Sequence, residues 1–219
     1  STATVSCFLD KGYEIGSVDT VMPDLEVKIG ENNEILLRGK TITTGYYKKP
    51  EATAAAIDKD GWFHTGDAGY LKGNHLYLTE RIKDLFKTSN GKYISPQALE
   101  TKLSIDRYID QIAVIADQRK FVSALIVPVY GLVKNYAKEK GLEYKDMADL
   151  LQHPKVQALF RARIDTLQQQ FAHYEQVKRF TLLSEPFSME RGELTNTLKL
   201  KRSVVAKNYK ELIDKMYEE

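Results

Sequence analysis

Cysteine is almost missing from this sequence, with Cys7 the only one in 219 residues. A single thiol cannot close an internal disulfide, and no metal-ligating partners stand at useful spacing around it, which excludes a disulfide scaffold and a cysteine-based metal site. Cys7 reads as a small packing residue in a protein of a reducing compartment. An excess of either charge is also lacking. With 32 basic and 30 acidic residues, no overall field exists to gather nucleic acid or anionic lipid. No apolar run approaches the roughly 20 residues a transmembrane helix requires, and no charged n-region followed by an apolar h-region opens the chain. The expectation is a cytoplasmic protein with no transmembrane segment; peripheral membrane association stays open. Repeats and low-complexity stretches are absent too, while the length suffices for one large domain or two small ones with a real core.

What is present divides in character near Glu80. Before it, "LEVKIGENNEILLRG" alternates at Leu25, Val27 and Ile29, turns, and resumes at Ile35 and Leu37, a hairpin signal. "TITT" reads as a short strand, "PEATAAAI" as a helical turn broken by Asp58 to Gly61, and "HLYLTE" as a further strand. After "RIKD", two extended pieces flank Asn90-Gly91. Ser95 and Pro96 then open a helix as N-cap and first residue. Residues 110 to 130 read as two apolar strands joined by a polar turn, and 130 to 172 as helical. Val156, Leu159, Phe160, Ile164, Leu167 and Phe171 line one face of that stretch, read as core packing. A strand "RFTLL" and a last helix carrying Leu200, Val204, Leu212, Ile213 and Met216 complete the second, α+β half. The polar stretch from Glu80 to Asp84 is the expected domain joint.

Three polar clusters need a common explanation: Thr65-Gly66-Asp67, "ERIKDLFKTSNGKYI" from Glu80, and "ELTNTLKLKR" around Lys199. Singly each has an ordinary one, since an acid beside a glycine is usually turn punctuation and basic residues usually form a solvated face. In this order and at these separations they resemble the adenylate-forming (AMP-binding) enzymes, the superfamily of acyl-CoA synthetases, luciferases and peptide-synthetase adenylation domains. The likeness runs through "GYYKKPEAT", "GWFHTGD", "ERIKDLFKTSNGKYISPQALE" and "TLKLKR", nearly the whole chain. "KDLFKTSNGKYI", the long helical insert and "LTNTLKLKR" look like the long-chain fatty acyl-CoA synthetase branch. Leu198 departs from the wider superfamily, which mostly has glycine before its catalytic lysine.

The resemblance implies an acid–thiol ligase that joins a long-chain fatty acid to CoA through an acyl-adenylate. ATP with Mg2+ would be used and CoA would be the co-substrate, with the Mg2+ site mostly outside these residues and no metal ligands assigned within them. It implies an α+β fold: a β-rich tail of a large N-terminal domain over residues 1–80, then a small mobile C-terminal domain over 81–219 with a central antiparallel sheet flanked by helices. Asp67 and Arg81 would hold ATP or AMP. A carboxylate accepts two hydrogen bonds at once, which suits vicinal ribose hydroxyls, and a guanidinium supplies forked donors. Lys199 would be catalytic, neutralising charge between the substrate carboxylate and the α-phosphate. Lys83 would be the hinge, and Ser89, Asn90 and Gly91 would line the CoA channel. The family's phosphate loop, its "YG-x-TE" segment and its acyl tunnel are not in this sequence, so the expectation is an inactive C-terminal fragment. The rival reading is a non-catalytic binding module using the basic segment 199–210, and a ligase for another carboxylic acid is a third; no nucleic-acid partner is expected, because no aromatics are interleaved as stacking platforms.

Overall fold

The structure, a computed structural model, describes residues 7–8, 14–18 and 20–218. The packing role expected of the Cys7 side chain lies outside the described residues. The chain parts into two compact units between Leu85 and Phe86.

The first unit is a six-stranded antiparallel sheet built from β1 (Cys7–Phe8), β2 (Thr20–Val21), β3 (Leu25–Ile29), β4 (Glu34–Gly39), β5 (Phe63–Lys72) and β6 (His75–Arg81), with α1 (Pro50–Ala56) between β4 and β5. Its order is β1-β2-β6-β5-β4-β3. The alternation read at Leu25 and in Ile35 and Leu37 puts these side chains into one small core with Val21 and Leu76. The β3–β4 hairpin turns through Asn32 and Asn33, both at positive φ, which asparagine tolerates better than most residues. The short strand expected at Thr41–Thr44 does not form. Thr43 Oγ1 accepts from the Gly45 amide at 3.2 Å and donates to the Gly45 carbonyl at 3.0 Å, and this local bonding competes with a ladder.

The second unit is α+β, as expected. A two-stranded ribbon, β7 (Phe86–Lys87) with β8 (Tyr93–Ile94), leads into α2 (Pro96–Leu103). Ser95 caps α2, its hydroxyl accepting from the Ala98 amide at 3.1 Å. The antiparallel hairpin β9 (Ile109–Ile115) and β10 (Val122–Pro128) forms the centre, and β11 (Val177–Leu182) lies parallel beside β10. A parallel neighbour needs a crossover. Here α3 (Tyr130–Glu139), α4 (Met147–Gln152) and α5 (Pro154–Leu167) supply it, so the region expected to be helical is three helices, broken at Gly141 and before Pro154.

The sheet is the middle layer. From β10, Val122, Ala124 and Ile126 enter a core with α2 to α5, while Leu125 and Val127 enter a second core with α6 (Arg202–Asn208) and α7 (Lys210–Lys215). Complete burial of each Leu, Ile or Phe in these cores is worth roughly 1.5–3 kcal/mol. The single last helix read from the sequence is therefore two. The chain breaks at Tyr209, whose ring meets Phe187 edge-on at 5.7 Å, and the change of phase buries Val205 more deeply than Val204 and leaves Leu212 exposed.

Candidate functional site

In the first unit, Thr65-Gly66-Asp67 lies inside β5 rather than in a turn between strands. Glu34 pairs with Ala68 and Leu36 with His64, so these three residues stand opposite Ile35 alone. This is a bulge, a device that re-aims a side chain. Gly66 takes φ +70°, the left-handed region open to glycine. Thr65 Oγ1 donates to the Ile35 carbonyl at 2.7 Å and accepts from the Asp67 amide at 3.1 Å. Glu34 clamps the other side, Oε1 accepting from the Gly66 amide at 3.0 Å and Oε2 meeting His64 Nδ1 at 2.8 Å. Across the ladder Asp67 pairs with Arg81, with Nε 3.3 Å from Oδ1.

The two residues expected to share a nucleotide are thus side by side. Their side chains remain 32% and 59% exposed, and so open a pair contributes at most about 1 kcal/mol to the fold. It is better suited to exchanging partners with a ligand. The Gly61-Trp62 step upstream is structural. Asp58 accepts from the Trp62 and Asp60 amides, chiefly the former, and these bonds hold its carboxyl below the usual range; the Arg38 guanidinium covers the Trp62 ring at 4.4 Å.

In the second unit Lys199 stands on the returning arm of a tight hairpin, closed by a bridge between Leu194 and Leu200. The Thr195 amide donates to the Lys199 carbonyl at 2.8 Å, the Leu198 amide to the Thr195 carbonyl at 2.9 Å, and the Lys199 amide to Thr195 Oγ1 at 3.0 Å. Leu198 sits at φ +60°, the left-handed position of a three-residue hairpin loop that glycine normally fills, and the residue is 68% exposed. Leu198→Gly is expected to raise the stability of this unit by up to about 1 kcal/mol, because relief of left-handed strain outweighs the extra freedom of glycine in the unfolded chain. A lower urea midpoint for the variant would contradict that reading of the loop.

Lys83 is exposed in a 3-10 turn, Ile82–Asp84, just ahead of the parting at Leu85 and Phe86. Ser89, Asn90 and Gly91 form the turn between β7 and β8. The turn is tied down by the Ser89 amide on the Arg119 carbonyl at 3.0 Å and by Asn90 Nδ2 on the Lys120 carbonyl at 3.4 Å. Gly91 takes φ +74°, and an added Cβ there would meet nothing within 4 Å, leaving an open face on the loop. This loop and the Lys199 hairpin rest on different scaffolds, the first on the turn between β9 and β10, the second on the segment 188–193 and on α2.

Sequence reasoning missed the supports. Glu100, in the quoted "PQALE", takes Arg202, in the quoted "TLKLKR", as a two-pronged ion pair with both distances 2.6 Å, and also accepts from the Val114 amide at 2.8 Å. Nothing in their spacing signals that they meet. The pair also removes Arg202 from the five basic residues of 199–210 that the rival binding reading would use. Among the described residues no three His, Cys, Asp or Glu side chains converge on a metal position.

A family model described as the AMP-binding enzyme C-terminal domain matches residues 83–219. The chain belongs to the adenylate-forming, AMP-binding enzymes. Arabidopsis thaliana long chain acyl-CoA synthetase 6, peroxisomal, is 34% identical over all of this chain and 34% of its own length. The rat long-chain-fatty-acid–CoA ligase 5 is 35% identical over 87% of this chain and 28% of its own length. The chain therefore spans about a third of the length of these relatives. Among solved structures, the A-PCP didomain of a carboxylic acid reductase from Segniliparus rugosus, in complex with AMP, is 26% identical with a TM-score of 0.63, covering 84% of this chain and 24% of that one. As an AMP-binding enzyme the chain is allied to acid–thiol ligases and adenylation domains of varied specificity.

The expectation of a cytoplasmic protein is corrected by the relatives. Two Arabidopsis synthetases, each 34% identical over the whole chain, are peroxisomal by name. A single cysteine and the lack of a long apolar run fit a peroxisomal protein as well as a cytoplasmic one, so composition does not discriminate between these compartments. Among the described residues no helix is long and apolar enough to cross a membrane.

Proposed function

We propose that this chain is the C-terminal part of an ATP-dependent long-chain fatty acid–CoA ligase. Residues 1–80 would close its large nucleotide-binding domain and 81–219 would be its mobile small domain. The observation that carries the reading is the bulge that sets Asp67 beside Arg81 at 3.3 Å, half open to solvent. A carboxylate and a guanidinium held there present the acceptors for a ribose diol and the donors for a phosphate. In the first half-reaction a carboxylate oxygen of the fatty acid attacks the α-phosphorus of ATP and pyrophosphate leaves. Lys199 places a compact positive charge where negative charge gathers. In the second, the CoA sulfur attacks the acyl carbon, AMP departs and the thiol proton is lost. Lys83 turns the small domain between the two steps, and the Ser89-Asn90-Gly91 loop admits the pantetheine past the open face of Gly91.

The names of the long-chain relatives support the fatty-acid assignment, and the committed state of Arg202 speaks against the polyanion-binding alternative. Thioester formation by an enzyme carrying this chain, across acids of graded length, tests the substrate; a maximum at short or aromatic acids would replace the long-chain reading. The isolated 219-residue chain is expected to make no acyl-CoA from ATP, acid and CoA, and turnover by it would sink the proposal that it is a part.

A further inference from the structure

Glu193 is a carboxylate with no place in the chemistry above, and it is buried, with 1% of its side chain exposed. Such a group persists only where it is well bonded. Its Oε2 accepts from the Ser188 amide at 3.0 Å, both oxygens accept from Arg191 Nε at 3.1 Å, and Oε1 accepts from Asn208 Nδ2 at 3.1 Å. Burial pushes its carboxyl up, yet Arg191, the Ser188 amide and Asn208 more than offset this and hold it below the usual carboxylate range. Arg191 is in turn fixed by Glu185 at 3.2 Å, the Pro186 carbonyl and the Tyr209 hydroxyl.

The backbone of the same residue carries the Lys199 hairpin. The Glu193 carbonyl accepts from the Lys201 amide at 2.8 Å, one step beyond the bridge between Leu194 and Leu200. One residue therefore ties its loop to the end of α6 through its side chain and clamps the base of the hairpin through its main chain. On the far side, Arg202 is locked to Glu100. Lys199, whose own side chain is exposed, is held by its base rather than by its tip.

We infer that Glu193 is a positioning residue for Lys199, its buried charge fixing the hairpin so that the lysine is presented in one geometry. This rests on the ligase reading for its consequence in catalysis but not for its structural content. A misplacement of about 1 Å can cost on the order of 100-fold in rate, so a surface lysine on a short hairpin needs such an anchor. Tightness here matters more than stability.

Two measurements test it. In this chain, Glu193→Gln should speed amide hydrogen exchange at Thr195, Lys199 and Lys201 by about 10-fold or more while leaving Leu125 and Ile126 of β10 unchanged, the pattern of a local opening. Asn208→Ala, which leaves Arg191 on the carboxylate, should do the same to a smaller extent and covers the case that Glu193→Gln does not fold. In the complete enzyme, either variant should lower kcat for acyl-adenylate formation, about 10-fold for Glu193→Gln, with KM for ATP unchanged and with supplied acyl-adenylate still reacting with CoA at the wild-type rate. Unchanged hairpin exchange, or equal loss of both half-reactions, would overturn the inference. Selective hairpin exchange together with a wild-type enzyme that makes no acyl-adenylate would uphold the anchor and sink the ligase reading alone.

Discussion

Lys199→Ala in the complete enzyme is expected to lower acyl-adenylate formation by about 100-fold or more, while a chemically supplied acyl-adenylate should react with CoA at close to the normal rate. In the proposed mechanism the size follows from removing a positive charge that would oppose the growing charge at the α-phosphate, a contribution made in one transition state only. The selectivity follows from the site. Among the described residues the Lys199 ammonium takes part in no ion pair, and the hairpin is closed by main-chain groups and Thr195 Oγ1. Truncating an exposed side chain of this kind changes stability by no more than about 0.5 kcal/mol. Assaying each half-reaction separately decides the point: equal loss in both would make Lys199 structural.

Lys83→Pro is expected to produce the opposite pattern, with adenylation retained and thioester formation lost. Proline fixes φ near −65° and restricts the residue before it, so a joint that must change backbone angles between two arrangements is held in one. Lys83 is a suitable place for the test. The turn that contains it is closed by the Leu85 amide on the Ile82 carbonyl at 3.1 Å, a bond in which the Lys83 amide has no part, and its side chain is exposed. Single-turnover thioester formation at the wild-type rate in Lys83→Pro would place the rotation elsewhere.

The elements that local pattern specifies are legible in the sequence itself. Alternation at Leu25 and Ile35 gave the β3–β4 hairpin, Ser95-Pro96 gave the start of α2, and the period of Val156, Phe160 and Ile164 gave the buried face of α5. What escaped is set by groups distant in sequence. Thr65-Gly66-Asp67 has the composition of a turn, and only its register against Glu34 to Leu36 makes it a bulge. Glu34 and Gly66, Glu100 and Arg202, and Glu193 and Asn208 meet through the fold, with no periodic signal to announce them. The break at Tyr209 escaped for a related reason. The apolar spacing runs on across it, and the helix yields to packing of the tyrosine ring on Phe187.

The same residues show which part of the candidate site a sequence can carry. Asp67, Arg81, Lys83, Lys199 and the Ser89-Asn90-Gly91 turn stand in short ordered words, and in the proposed ligase each would meet a ligand or a joint through one side chain or one bend. Their supports are buried or half-buried polar groups whose only requirement is a partner, and the partner's place in the chain is free.

The parallel seat of β11 beside β10 also governs how the second unit is assembled in time. The β9–β10 hairpin closes over a short turn and can form early, whereas β11 must wait until the whole crossover from Tyr130 to Gln176 has been made and folded. During synthesis one edge of β10, a strand buried along its entire length in the finished unit, stays unpaired until then. That edge is the sticky surface of the nascent chain. The three crossover helices thus act as a delay between the birth of a hydrophobic strand and the arrival of the strand that covers it.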